Sequence, residues 1–311
     1  MDDANSAPQR IASLEDSAVR VVSARIGLGA RLSNLWGRRE LLRNLIASDI
    51  RIQYKGSVLG IVWSMLSPAF TLAIFDLVFS IFLKNGIPNF VIYLFAGLVV
   101  WNMFFAGVMS ATSVIVDRAG LVKKVSFPRE ILPLSNVGSA VVYFVIQLGV
   151  LLLFCAALGH APDWQFFLVL PVTFACLYFF TAALAIVMSA LTVYLRDLKH
   201  LTAVALQLWF YLTPVVYSYE NSLAPALHKH GLTTLYFLNP ITLIVLTFQR
   251  TFYVSSSVIS TVTHQRLNLL PTWSLGQYLE RNLACLGAMI VLFLIALAIF
   301  GRLEGNFESE L

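Results

Sequence analysis

Two lysines, an arginine, a glutamate and two prolines crowd into GLVKKVSFPREILP, residues 120–133, between two long runs without charge. Lys123, Lys124, Arg129 and Glu130 offer charge-assisted hydrogen bonds of both signs around one aromatic, Phe127, while Pro128 and Pro133 stiffen the backbone. Such a mixture suits docking to a partner. The plain alternative is a loop whose lysines sit among lipid phosphates. Elsewhere the acids that could do chemistry in the polar loops, Asp117 and Asp197, stand alone, so the acidic pair or metal site of a membrane-embedded glycosyl- or phosphotransferase is missing. His160, His228, His230 and His264 are scattered, His228-Lys229-His230 is too sparse for a metal site, and His200 reads as the cap of an apolar run. Cys155, Cys176 and Cys285 fall inside apolar runs with no Cys-x-x-Cys spacing and read as packing residues. No Gly-Lys pair occurs, so the chain has no G-x-x-x-x-G-K-[ST] phosphate loop and does not hydrolyse ATP by itself. Asp76 is the one carboxylate deep in an apolar run, at a cost of roughly 2.5–3.5 kcal/mol on insertion scales. With no second buried acid or base to relay a proton, it is expected to be hydrogen-bonded or to face a path.

The elements that position these residues follow from composition. The chain of 311 residues is 59% hydrophobic and 12% charged, with mean hydropathy +0.80, which is the signature of a membrane protein. A crossing needs roughly 20 apolar residues. Runs free of Asp, Glu, Lys and Arg cover 85–116, 131–162, 164–195, 200–219, 230–249 and 282–301, and 56–83 joins them if Asp76 is excepted. No cleavable signal pattern opens the chain, so the N-terminus is expected to be mature and cytoplasmic. From that start, sixteen Lys and Arg fall inside and five outside (Lys84, Lys229, Arg250, Arg266, Arg281), as the positive-inside rule asks. The net charge of +5 is spread along these loops and does not gather into a nucleic-acid surface.

Seven crossings would leave the C-terminus outside, so one run must fail to span. The weakest is 231–249, which Asn239-Pro240 splits into pieces too short to cross. The expected fold is therefore an all-α integral membrane protein of six transmembrane helices, with crossings near 58–83, 90–116, 132–158, 166–192, 200–219 and 282–301. A polar cytoplasmic tail (1–30) and an N-terminal amphipathic interfacial helix (31–56) precede the transmembrane domain (57–301), and a cytoplasmic tail (302–311) follows it. An external segment, 220–281, carries a re-entrant or interfacial helical piece before the last crossing. In the amphipathic stretch Leu41, Leu42, Leu45, Ile46 and Ile52 share one side, which Asp49 interrupts, and Asn44, Ser48 and Arg51 share the other.

Two ordered stretches, SDIRIQYKGSVLGIVWSMLSP (48–68) and GLVKKVSFPREILPL (120–134), resemble the permease subunit of type-2 ABC exporters of polysaccharides, the O-antigen, capsule, teichoic-acid and galactan exporters. YLRDLKHL (194–201), LTPVVYS (212–218) and the Asn-Pro at 239 extend the likeness over about residues 38–301. The resemblance implies that Lys123, Lys124, Phe127, Pro128, Arg129 and Glu130 form a coupling element for a separate ABC ATPase. Arg196 and Asp197 would mark a second cytoplasmic loop. It further implies two copies of the chain and two ATPases, with ATP and Mg held by the ATPase and no cofactor on this chain. The cargo would be a glycan on a lipid diphosphate. Its anionic head would meet Arg51 and Lys55 at a cytoplasmic gate formed with Asp49, Tyr54, Ser57 and Gly60, although snorkelling of the two cations to lipid phosphates explains them as well. Its sugars would slide along aromatic faces, with Trp63, Phe70, Trp101, Phe104, Phe105, Trp209 and Tyr211 as candidates beside Asp76. A type-2 exporter of drugs or lipids is the alternative cargo class, and the Phe-Pro-Arg-Glu element points away from it.

Overall fold

The computed structural model describes residues 27–57, 60–82, 87–125, 127–260, 264 and 266–311. Nearly all of the polar tail lies outside these residues. Two helices, α1 (Leu28–Gly37) and α2 (Arg39–Gln53), occupy the expected amphipathic stretch. Leu42 and Leu45 of α2 pack on the apolar body, and Ile46 approaches the backbone of Gly138 so closely that no Cβ would fit there. Ile52, at the edge of that stripe, is exposed instead. Asp49 interrupts the stripe because it pairs there with Arg118.

Among the described residues, four helices are long and apolar enough to cross a membrane: Phe90–Thr112, Ile131–Ala157, Phe166–Tyr194 and Leu275–Asn306. Within them run α4 (Phe90–Thr112), α6 (Ile131–Ala157), α7 (Leu170–Tyr194) and α12 (Leu275–Leu303), with α5 (Ala119–Lys124) between α4 and α6. The expected first crossing is represented by α3 (Trp63–Asp76), which continues as a wider π-type turn over Leu77–Phe82. The expected fifth is α8 (Leu198–Leu212), which at 15 residues and 1.5 Å per residue is only about 22 Å long. The last helix begins seven residues before the charge-free run, because Glu280 and Arg281 sit in its opening turns behind a Ser274–Gln277 capping box.

The α4 helix is the hub, enclosed by α6, α7 and α8. The segment expected to fail as a crossing does split at Asn239: α10 (Thr233–Phe237) follows α9 (Ala224–Lys229), and α11 (Pro240–Tyr253) then turns inward and is buried along most of its length against α4 and α7. Asn239 caps α11 by accepting from Ile241 N at 3.2 Å, and Pro240 needs no partner in the first turn. Where α8 stops, the carbonyls of Pro214 and Val215 accept from the buried Gln249 amide of α11 at 3.1 and 3.3 Å. This satisfies backbone that no helix pairs. Gly97 makes room, since a Cβ there would lie 3.0 Å from Gln249 Nε2. A two-stranded antiparallel ribbon, β1 (Ser257–Ile259) with β2 (Arg266–Asn268), was not expected from the sequence.

Candidate functional site

The connection between α4 and α6 forms a small knob on an ion-paired base. Lys123, Lys124 and Val125 stand exposed where α5 gives way to extended backbone. Phe127 is half-buried against the apolar cluster beneath. The chain then turns, Ile131 N donating to Pro128 O at 3.1 Å, and enters α6 at Ile131 with Pro133 inside the first turn, where its missing N–H leaves nothing unpaired.

Arg129 and Glu130 face inward. Glu130 is buried and accepts from Arg31 of α1, which also reaches Glu304 Oε2 at 3.2 Å beyond the end of α12. Arg129 Nη1 donates to the Glu304 backbone carbonyl at 3.0 Å. Gly301 is the condition for this arrangement, because a Cβ on it would lie 2.6 Å from the Arg31 guanidinium carbon. A cavity of about 310 Å³ opens beside the cluster, lined by Asn34, Arg38, Phe127 and Pro128 as well as the ionic groups. The structure thus divides the expected coupling residues. Lys123 and Lys124 face out, Phe127 and Pro128 line the cavity, and Arg129 and Glu130 are committed within the chain. Arg196 and Asp197 are exposed in the turn from α7 to α8, and Tyr194 just ahead of them donates to Leu303 O at 2.7 Å, which ties that turn to the same end of the molecule.

The expected gate residues also separate. Asp49 pairs with Arg118 and leaves its Oδ2 buried without a described partner. Arg51 and Lys55 are exposed and line a broad groove of about 850 Å³ with Asn44, Ser48 and Tyr54. Gly60 adopts a left-handed φ of +51°, which explains glycine there, and its N–H donates to Ser57 Oγ at 3.1 Å, so these two residues shape the turn into α3.

The aromatic candidates fall into two sets. Trp101 and Phe104 are buried, Phe104 stacking on Phe180 at 5.4 Å and meeting Trp209 edge-on at 5.4 Å. Trp63, Phe70, Phe105 and Tyr211 are exposed. Trp63 and Phe105 share a cavity of about 490 Å³ between α3, α4 and α6 with Tyr54, Tyr143, Asn102 and Gln147. Tyr143 donates to Gln53 Oε1 at 2.7 Å, and Asn102 Nδ2 to Gln147 Oε1 at 3.0 Å. Sequence reasoning missed these amides, yet uncharged polar residues inside apolar runs were the available signal. It also missed Arg31 and Glu304, for which no local pattern existed. The Asp76 side chain lies outside the described residues.

The family model described as ABC-2 type transporter matches residues 40–253, from α2 to the end of α11. The O-antigen export system permease protein RfbA of Myxococcus xanthus is 34% identical over 219 residues, covering 70% of this chain and 82% of the relative. The protein of the same name from Klebsiella pneumoniae is 29% identical over 179 residues, covering 58% and 69%. The matched region takes in the α4–α6 knob, the α2 groove and the Asn239 break together, and the chain belongs to the ABC-2 type transporter family.

Proposed function

We propose that this chain is the membrane subunit of an ATP-driven exporter that moves a lipid-diphosphate-linked polysaccharide from the cytoplasmic to the outer side of the cell membrane. The observation that carries the reading is the knob. Lys123 and Lys124 project from a base held on three sides by Arg31, Arg129 and Glu304, which suits a rigid lever for a separate ATPase. Family membership and the O-antigen export names of two relatives support the cargo class. Six crossings, with both termini cytoplasmic, count α3 and α8 as the first and fifth.

In this reading Arg51 and Lys55 receive the diphosphate in the open groove of α2. Asp49 acts at one remove, since its pair with Arg118 links α2 to the chain just ahead of α5. The sugar path runs along the surface of this chain, past Trp63, Phe70, Phe105 and Tyr211, and a second copy closes it. Trp101, Phe104 and Trp209 support that wall from behind.

The test is ATP hydrolysis by the chain co-purified with an ABC ATPase, with and without a diphosphate-linked glycan. Stimulation by the glycan that is lost in Phe127→Ala is the expected result. An ATPase that never co-purifies, or that ignores the glycan, sinks the reading.

A further inference from the structure

At the end of the molecule away from the knob, a cavity of about 690 Å³ opens between the Tyr219–Leu223 turn, α10 and the first turns of α12. Its floor is apolar: Ala284, Ala288 and Met289 of α12 face Leu238 and Leu243. Arg281, Ala284 and Ala288 repeat at three- and four-residue spacing and so share one helix face. From Arg281 to Met289 that face descends about 12 Å at 1.5 Å per residue.

The rim is charged. The Arg281 guanidinium carbon lies 3.5 Å from the centre of the Trp273 ring, and Glu220 and His228 line the same cavity. Among the described residues neither Arg281 nor Glu220 makes an ion pair, with the other or with any further group. Burial pushes the Glu220 carboxyl above its ordinary range, with His228 pulling it partly back. Two opposite charges therefore border one cavity without a salt bridge, Arg281 lying over Trp273 and Glu220 under the influence of His228.

We infer that this cavity holds one zwitterionic phospholipid, its phosphate on Arg281, its ammonium on Glu220 and one acyl chain along Ala284, Ala288 and Met289. A guanidinium held over an aromatic ring can still present N–H groups to phosphate oxygens. A primary ammonium donates hydrogen bonds to a carboxylate, whereas a quaternary ammonium has none to give. The site therefore selects phosphatidylethanolamine over phosphatidylcholine, and over phosphatidylglycerol, which offers Glu220 no cation. The apolar floor disfavours a sugar, whose hydroxyls would lie there unpaired.

The experiment is native mass spectrometry of the delipidated full chain, titrated separately with phosphatidylethanolamine, phosphatidylcholine and phosphatidylglycerol. One phosphatidylethanolamine per chain is expected, with the other two lipids bound about tenfold more weakly, the equivalent of about 1.4 kcal/mol. Arg281→Ala is expected to weaken it about tenfold, and Glu220→Gln to abolish the preference over phosphatidylcholine. Ala288→Trp fills the floor and excludes the lipid with both charges in place. Arg281 is exposed, so its truncation leaves the packing of α12 intact. Equal retention of the three lipids, or unchanged retention in Arg281→Ala, overturns the inference. So does displacement of the bound lipid by a malto-oligosaccharide or by inorganic phosphate alone. Retention is read without ATP or transport, so its failure leaves the export proposal standing.

Discussion

The two ends of this molecule are held together by different chemistry. At the knob, Arg31, Arg129, Glu130 and Glu304 come from three distant parts of the chain and meet through charge. At the other end arginines also take part, Arg250 pairing with Asp163 at 3.3 Å and Arg266 donating to Ser257 Oγ at 2.9 Å, but the joints between the buried helices are neutral. Tyr93 donates to Tyr217 O at 3.0 Å, Tyr253 to Pro88 O at 2.6 Å, and Gln249 to the carbonyls after α8. Neutral hydrogen bonds between enclosed groups fix one arrangement. Clustered charges instead tie three distant segments to one another, and removing any one of them leaves another unmatched.

The largest test of this contrast is Glu130→Ala. It leaves the Arg31 guanidinium half-matched in a buried site, and unfolding in mixed micelles should show a loss of about 3 kcal/mol. A loss well under 1 kcal/mol would mean that Glu304 alone holds Arg31, and the cluster would be ornament. Next in size, Gln249→Leu strips two carbonyls of their donor and should cost about 2 kcal/mol in the same assay. If it costs as much as Glu130→Ala, neutral joints hold as firmly as ionic ones and the contrast fails.

Replacing both Lys123 and Lys124 by Ala separates stability from coupling. The melting temperature should stay put, because both side chains are exposed, while glycan-stimulated ATP hydrolysis falls roughly tenfold. The smallest effect should come from salt. Raising ionic strength from 0.1 to 1 M shortens the screening length from about 10 to about 3 Å, so amide exchange at residues 127 and 129–131 should quicken by roughly twofold while 215–217 stays unchanged. Equal acceleration at both places would erase the distinction.

Much of the fold could be read from the residues because lipid restricts what backbone can do. The Asn239-Pro240 break, α4, α6 and α7 all fall near their expected bounds, since long charge-free runs leave little choice. The start of α12 was harder. A rule that stops at charge cannot see that Glu280 and Arg281 ride on the same helix. In the site, the mixed-charge stretch stood out by composition, yet the inward turn of Arg129 and Glu130 did not. Their partners lie up to 175 and 99 residues away, and no spacing rule reaches that far. The aromatic candidates were indistinguishable for a related reason: Trp101 and Trp63 look alike in sequence, and only packing decides that one is sealed and the other open.

The link from Arg31 to Glu304 spans 273 residues, almost the whole chain. During synthesis at about 5–20 residues per second, Arg31 waits roughly 14–55 s before its last partner exists. A chain that stops short of Glu304 can still insert its apolar helices, yet its knob rests on an unfinished base. The ionic cluster therefore closes only after both ends of this 273-residue span have been made, which sets it apart from every joint between neighbouring helices.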